Sequence, residues 1–281
     1  MGLKAWAAAL VGALAAAGAA QAADSAKTAH VALLLAPQTV AAAPGSTLYV
    51  GLQETIAPGW HTYWRNPGDS GEPTAISWTL PAGWTAGPIV WPAPGRAATG
   101  PLVNYVYADK VILPTPIQVP ASASPGSRAV LKAAVTYLVC KDVCIPEQAS
   151  LDLSVPVASG AAKLSPVLGQ AITETLAAAP KPAGLQARFA RSGDAVSLWV
   201  SGAQLKGADV GRAWFYPYDG QLLDHAKPQQ VAGGPDGLTL ALPAGYGFTH
   251  GDPPKALDGV LALGGGKAWE VHATPGGPLP G

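Results

Sequence analysis

The sequence predicts an all-β fold, two β-sandwich domains joined by a short helix and linker. Three observations predict it. Glycine and proline are abundant, 34 and 28 of 281 residues, while only 12% of residues are charged, a balance that favours strands and turns over long helices. Short runs of β-branched and aromatic residues alternate with turn clusters along most of the chain. Only one segment carries a helical stripe. About 260 residues remain after a leader is set aside, enough for one large or two ordinary domains that fold without disulfide help.

The leader is read from Lys4, the apolar run "AWAAALVGALAAAGAA" and the A-x-A site Ala20-Gln21-Ala22. Residues 1–22 are expected to be a cleaved secretory signal peptide, and no later stretch reaches the length of a membrane helix. No direct membrane insertion is expected after signal removal, and disulfides persist outside the cytoplasm. Seventeen basic residues balance seventeen acidic ones, so no net field draws the chain to nucleic acid or anionic lipid.

The first domain is expected over 23–158. "STLYVGLQETI", "AISWTLPAGW", "GPIVWPAP", "KVILPTPIQV", "AVLKAAVTYLV" and "ASLDLSVPV" read as strands, with Pro114, Pro116 and Pro120 at edge or terminal positions. Helix and linker occupy 159–183. There Ser165 caps, Pro166 starts the helix, Val167, Leu168, Ile172 and Leu176 form its stripe, and Pro180 and Pro182 stop it. A second β-sandwich follows over 184–274, from "LQARFAR" to "KAWEVHA", and 275–281 reads as a disordered tail.

The only two cysteines, Cys140 and Cys144, lie in "TYLVCKDVCIPEQ". A structural staple, a metal-ligand pair and a redox couple are the three readings. Facing strand residues have Cα atoms close enough for a disulfide, so the spacing permits a bond. Closing a ring of about five residues contributes only about 2 kcal/mol, the low end for disulfides. Zinc wants four ligands, and the five histidines (His30, His61, His225, His250, His272) are scattered without ligand spacing; no metal and no cofactor are expected. For a redox pair, Lys141 favours a thiolate and Asp142 opposes it. A short surface ring is the labile sort of disulfide.

A non-enzymatic binding or adaptor module is the rival class. Trp60, Trp64, Trp78, Trp84 and Trp91 crowd into one stretch, and aromatic faces can stack on sugars or peptides. Filling a sandwich core is the simpler use for those rings. "RNPGDSGEP" reads as a turn-rich loop, and Asp69 has no second carboxylate at a spacing for acid–base work.

"VTYLVCKDVCIPEQASLDL", "GWHTYWRNPGDSGEPTAISWTLPAGW" and "YVYADKVILPTPIQVP" together resemble the amino-terminal periplasmic domain of the DsbD/ScsB thiol:disulfide interchange proteins. The ScsB-like, copper-sensitivity branch is the nearer likeness, over roughly 30 to 158. "AWFYPYDGQLLDHA" and "LDGVLAL" look like the second part of ScsB-type periplasmic regions. The resemblance implies immunoglobulin-like sandwiches, a periplasmic location, and electron relay through a reversible Cys140–Cys144 disulfide, a protein thiol-disulfide oxidoreductase activity. Cys144 would form the mixed disulfide and Cys140 would resolve it. A membrane thiol-reductase module or thioredoxin-like domain would be the donor, and a periplasmic thioredoxin-fold oxidoreductase the client. This sequence stops at Gly281 without either module, so either the donor is a separate polypeptide or the protein has a derived role. His61 and Tyr63 align with aromatic positions beside the cysteines. Residues 97 to 105 fall where the family has a shielding cap loop, without its acidic-aromatic sequence; Tyr105 is the nearest substitute.

Overall fold

The computed structural model describes residues 23–250 and 252–279. The expected signal peptide and the last two residues of the expected tail lie outside the described residues. In chain order the first domain runs β1 (Ser25–Lys27), β2 (Val31–Pro37), β3 (Thr47–Ile56), β4 (His61–Gly68), β5 (Ala75–Thr79) and β6 (Thr85–Ala86). It continues with β7 (Gly95–Thr99), β8 (Leu102–Ala108), β9 (Lys110–Gln118), β10 (Arg128–Cys140) and β11 (Cys144–Pro156). One sheet has the order β1-β2-β3-β9-β6; the other has β11-β10-β4-β8-β7, with β5 also paired to β10. Their inner faces share one core, which makes an all-β, immunoglobulin-like sandwich.

β10 shows how the pattern builds that core. Ala129, Leu131, Ala133, Val135, Tyr137 and Val139 alternate inward while their neighbours face out, the period of a half-buried strand. Trp64 is fully buried and Trp84 nearly so, while Trp60, Trp78 and Trp91 pack against the core edge. Core filling is therefore the main use of the tryptophan-rich stretch. Pro146 sits in β11, an edge strand, where a missing N–H costs no ladder bond.

The helix α1 (Gly169–Ala178) starts three residues later than a Ser165 cap and Pro166 start would place it, and its N-cap Leu168 makes no side-chain cap. The Val40 N–H donates to the Lys163 carbonyl and the Ser165 N–H to the Gln38 carbonyl, holding the chain extended to Ser165. The helix packs onto the outer face of the first sheet. Ile172 is fully buried against Ala36 and Ile112, and a Cβ on Gly51 would come within 2.7 Å of its side chain.

The second domain comprises β12 (Gln186–Ser192), β13 (Ala195–Ser201), β14 (Trp214–Pro217), β15 (Gln230–Gly233), β16 (Gly237–Pro243), β17 (Leu257–Ala262) and β18 (Ala268–Pro275). They form one mixed sheet, order β14-β17-β18-β12-β13-β16-β15, its two halves joined by a short parallel pairing of β12 with β18. That pairing reaches only the start of the expected disordered tail, and residues 277–279 carry no strand or helix. Pro275 belongs to β18, and the Gly276 N–H donates to the Phe189 carbonyl at 2.9 Å.

Tyr216 and Val260 of the second domain are buried in the core cluster of the first. Trp64 is ringed by Tyr105, Tyr216 and Tyr218 with centroids 5.8 to 6.2 Å away. His225 is locked between the Tyr105 hydroxyl (2.9 Å) and the Gly220 carbonyl (2.8 Å), and Asn66 Nδ2 donates to the Pro217 carbonyl at 2.7 Å. Among the described residues no helix is long and apolar enough to cross a membrane.

Candidate functional site

β10 and β11 pair in unbroken register from Arg128↔Pro156 to Cys140↔Cys144, leaving Lys141, Asp142 and Val143 as a three-residue loop. An odd loop of this length sets the two cysteines directly opposite each other, side chains on one face. They form a disulfide, with Cα atoms 4.2 Å apart and Sγ atoms bonded at 2.04 Å. β4 starts where β10 ends, so His61 pairs with Cys140 on its other side, and Ala108 pairs with His61. Cys144, Cys140, His61 and Ala108 therefore form one row across the sheet.

The two cysteines differ sharply in exposure. Cys140 is 2% exposed, enclosed by Tyr63 and Val106 with Ala97 and Leu138 packed alongside. Cys144 is exposed on the edge strand, and Val143 at the loop tip is 62% exposed. The strand alternation of β10 would place Cys140 on the outer face. Burial comes instead from the β4 and β8 side chains laid over that face.

Tyr63 reaches across the face, and its hydroxyl donates to Cys144 Sγ at 3.5 Å. Burial pushes the Tyr63 phenol above its ordinary value, so it stays a neutral donor at neutral pH. Its ring is held from behind by Gly71, where a Cβ would come within 2.3 Å of it and where φ is +101°. Only glycine suits that position, for space and for backbone conformation alike. The turn-rich loop "RNPGDSGEP" thus acts as a clamp on Tyr63. It is pinned to β8 by Val103 N–H donating to Asp69 Oδ2 (2.7 Å) and by Ser70 N–H donating to Asn104 Oδ1 (3.0 Å).

His61 packs edge-on against Tyr63, and its buried Nε2 has no hydrogen-bond partner among the described residues. Burial lowers its pKa from the ordinary 6.5, so the ring is neutral at neutral pH. Lys141 and Asp142 are exposed in the loop, and neither joins an ion pair among the described residues.

Tyr105 requires a correction. Residues 97 to 105 form the β7–β8 hairpin, and the alternation of β8 sends Tyr105 and Tyr107 into the core while Val106 faces Cys140. Tyr105 is fully buried at the domain boundary, beneath the sheet from the disulfide. Shielding is supplied by Val106 and Ala97, small apolar groups whose role depends on strand parity.

Sequence reasoning also missed Glu147, on the inner side of β11. It accepts hydrogen bonds from Thr28 Oγ1, His30 Nδ1 (2.7 Å) and the Tyr137 hydroxyl (3.1 Å), and His30 stacks on Trp60 at 3.8 Å. Burial alone would raise the Glu147 pKa, but these hydrogen bonds and the His30 charge outweigh it and hold the carboxyl below 4.5. The cluster ties the cysteine hairpin to the opposite sheet. Nothing in the spacing of Thr28, His30 and Glu147 signals it, because the contacts cross more than a hundred residues.

With this geometry in view, the comparisons are specific. Residues 31–156 match the family model described as the N-terminal domain of thiol:disulfide interchange protein DsbD. The crystal structure of the N-terminal periplasmic domain of ScsB from Proteus mirabilis is similar in fold, with a TM-score of 0.63 and 21% identity over 89% of this chain and 94% of that one. The Bacteroides ovatus glucan-utilisation protein SGBP-B, solved with a mixed-linkage heptasaccharide, aligns at a TM-score of only 0.18, with 13% identity over 84% of this chain and 43% of that one, and carries no argument. No curated protein matches the chain. The match over residues 31–156 and a disulfide-forming pair in one hairpin support thiol:disulfide interchange as the chemistry in general, and that segment is similar to the N-terminal domain of DsbD.

Proposed function

We propose that this protein is a periplasmic thiol-disulfide oxidoreductase that relays electrons through a reversible Cys140–Cys144 disulfide. The observation that carries the reading is the asymmetry of the pair, Cys144 exposed on an edge strand and Cys140 buried beneath Tyr63 and Val106. A nucleophile meets only one of the two sulfurs. A partner thiolate attacks Cys144 Sγ, the Cys140–Cys144 bond breaks, and Cys140 leaves as a thiolate. A second partner thiolate then attacks the partner's own sulfur and releases Cys144. The partner ends as a disulfide and this chain as a dithiol, having gained two electrons and two protons; the same steps reversed reduce a client.

The supporting groups divide the charge problem. Tyr63 donates to Cys144 Sγ and stabilises a thiolate there. His61 pairs with Cys140 across the sheet, its neutral ring makes no Nε2 hydrogen bond in the disulfide form, and in this reading it becomes the hydrogen-bond partner and proton carrier of the Cys140 sulfur once the pair is reduced. Lys141 and Asp142 flank the pair in the exposed loop, where the ammonium favours a thiolate and the carboxylate opposes it. A trough of about 600 Å³ runs along the same face past Leu138, Pro146 and Gln148, giving a partner loop a place to lie beside Cys144. The donor in this reading is a membrane thiol reductase with a thioredoxin-like domain, and the client is a periplasmic thioredoxin-fold oxidoreductase.

The test is the reduction potential of the pair together with trapping. A midpoint between about −180 and −270 mV lies among exchange proteins, whereas one below about −300 mV marks a structural bond and ends the proposal. Cys140→Ser should accumulate a mixed disulfide with a thioredoxin-fold protein through Cys144, and Cys144→Ser should form none.

A further inference from the structure

The overall charge balance conceals a local segregation. Arg96 on β7, Lys110 on β9, and Arg212 and Lys267 in the second domain line one cleft of about 500 Å³ between the two domains, and no carboxylate lines it. None of the four joins an ion pair among the described residues, although five such pairs engage other charges. The Arg96 guanidinium lies over the Trp214 ring at 3.5 Å, which fixes it at the wall, and Pro94 stiffens the same side. Asp209, next to the Arg212 turn, does not line the cleft, and its Oδ1 accepts the Gly211 N–H at 3.1 Å.

Four like charges gathered without a counter-charge repel one another, and an anion among them removes that cost. Two guanidiniums offer forked donors that match carboxylate and phosphate oxygens, and two ammonium groups add mobile charge. The volume is that of a small-molecule site. A single carboxylate would leave most of the positive charge uncompensated. We propose that this interdomain cleft binds a small soluble polyanion carrying two or more phosphate or carboxylate groups. The inference stands apart from the redox reading, since no lining residue touches the disulfide. Its position still bears on the cysteines: Ala97, next to Arg96 on β7, packs against the Tyr63–Val106–Cys140 cluster.

Calorimetric titration of the full chain with inorganic pyrophosphate and with citrate, at low ionic strength, tests this. One saturable site is expected, weakening as salt rises. Arg212→Gln with Lys267→Gln, both exposed side chains outside the core, should weaken it about tenfold or more. Lys206→Gln, whose lysine pairs with Asp236 elsewhere, should leave it unchanged. Acetate should bind far more weakly than citrate. The proposal is overturned if neither polyanion saturates a single site, or if the control loses as much affinity as the double variant. Phosphatidylglycerol vesicles form the second arm: binding to them that pyrophosphate does not displace would make the basic face a membrane contact and overturn the small-ligand assignment.

Discussion

Two buried histidines sit beside tyrosines in this molecule, and their surroundings are opposite. At the domain boundary His225 uses both ring nitrogens, accepting from the Tyr105 hydroxyl and donating to the Gly220 carbonyl. At the cysteine hairpin His61 lies against Tyr63 with Nε2 unpartnered, one strand away from Cys140. Burial penalises a polar group unless it is hydrogen-bonded, so a satisfied histidine builds structure and an unsatisfied one is a standing cost. The boundary histidine has both nitrogens paired, although the indole N–H groups of Trp64 and Trp214 nearby are buried without a partner among the described residues. The hairpin has left a buried ring nitrogen free on the residue that pairs with Cys140, the cysteine that solvent does not reach.

The sharpest way to break the comparison is His225→Ala. It leaves the Tyr105 hydroxyl and the Gly220 carbonyl unpaired around a void, and a loss of about 2–4 kcal/mol in urea unfolding is expected. The disulfide's reduction potential should not move; a shift comparable to the stability change would merge the two regions into one. His61→Phe should do the reverse, with stability within about 1 kcal/mol of the parent and exchange slowed roughly tenfold to a hundredfold. The pH behaviour sharpens it. Because burial depresses the His61 pKa, its contribution to stability is full above the ordinary 6.5 and is lost as pH falls through the native value. His61→Phe should flatten stability in that window.

Glu147→Gln probes the tie between the hairpin and the opposite sheet. Charged hydrogen bonds to Glu147 are weakened, so a loss of about 1–2 kcal/mol at neutral pH is expected. The native carboxyl titrates below 4.5, so the parent's advantage exists above that value and fades as pH drops through the lower, native pKa. A difference between parent and variant that survives strong acid would show that packing, not charge, holds this corner. Tyr63→Phe is the mildest change: a single weak hydrogen bond to sulfur disappears, and exchange should slow about two- to threefold with stability unchanged. Stopped-flow thiol exchange reads this directly, and a loss as large as that of His61→Phe would exchange the two residues' ranks.

Much of the fold was legible in the residues. The alternation of "AVLKAAVTYLV" and the turn-bounded runs of both halves declare strands with one face inward, and the spacing of Cys140 and Cys144 permits a bond across a hairpin. The helix was legible in kind but not in start, because backbone bonds from Gln38 and Val40 reach over and hold Ser165 extended. Tyr105 was misplaced because a loop was expected where a hairpin forms, and in a strand one step of parity exchanges core for surface. Gly71 stood in plain view as a turn residue, yet its work as the backing of Tyr63 needs a contact that local sequence does not encode.

The sequence by itself determined the all-β class, the order of the strands along the chain and a cysteine spacing that permits a bond across a hairpin, because period-2 alternation, turn residues and a three-residue loop are local properties of the chain. Only the tertiary structure decided which sulfur is buried, which histidine is left unpartnered and where four cations meet without a counter-charge. Those outcomes depend on which faces of distant strands are brought together, and the packing that does so joins residues separated by up to the length of a domain or more.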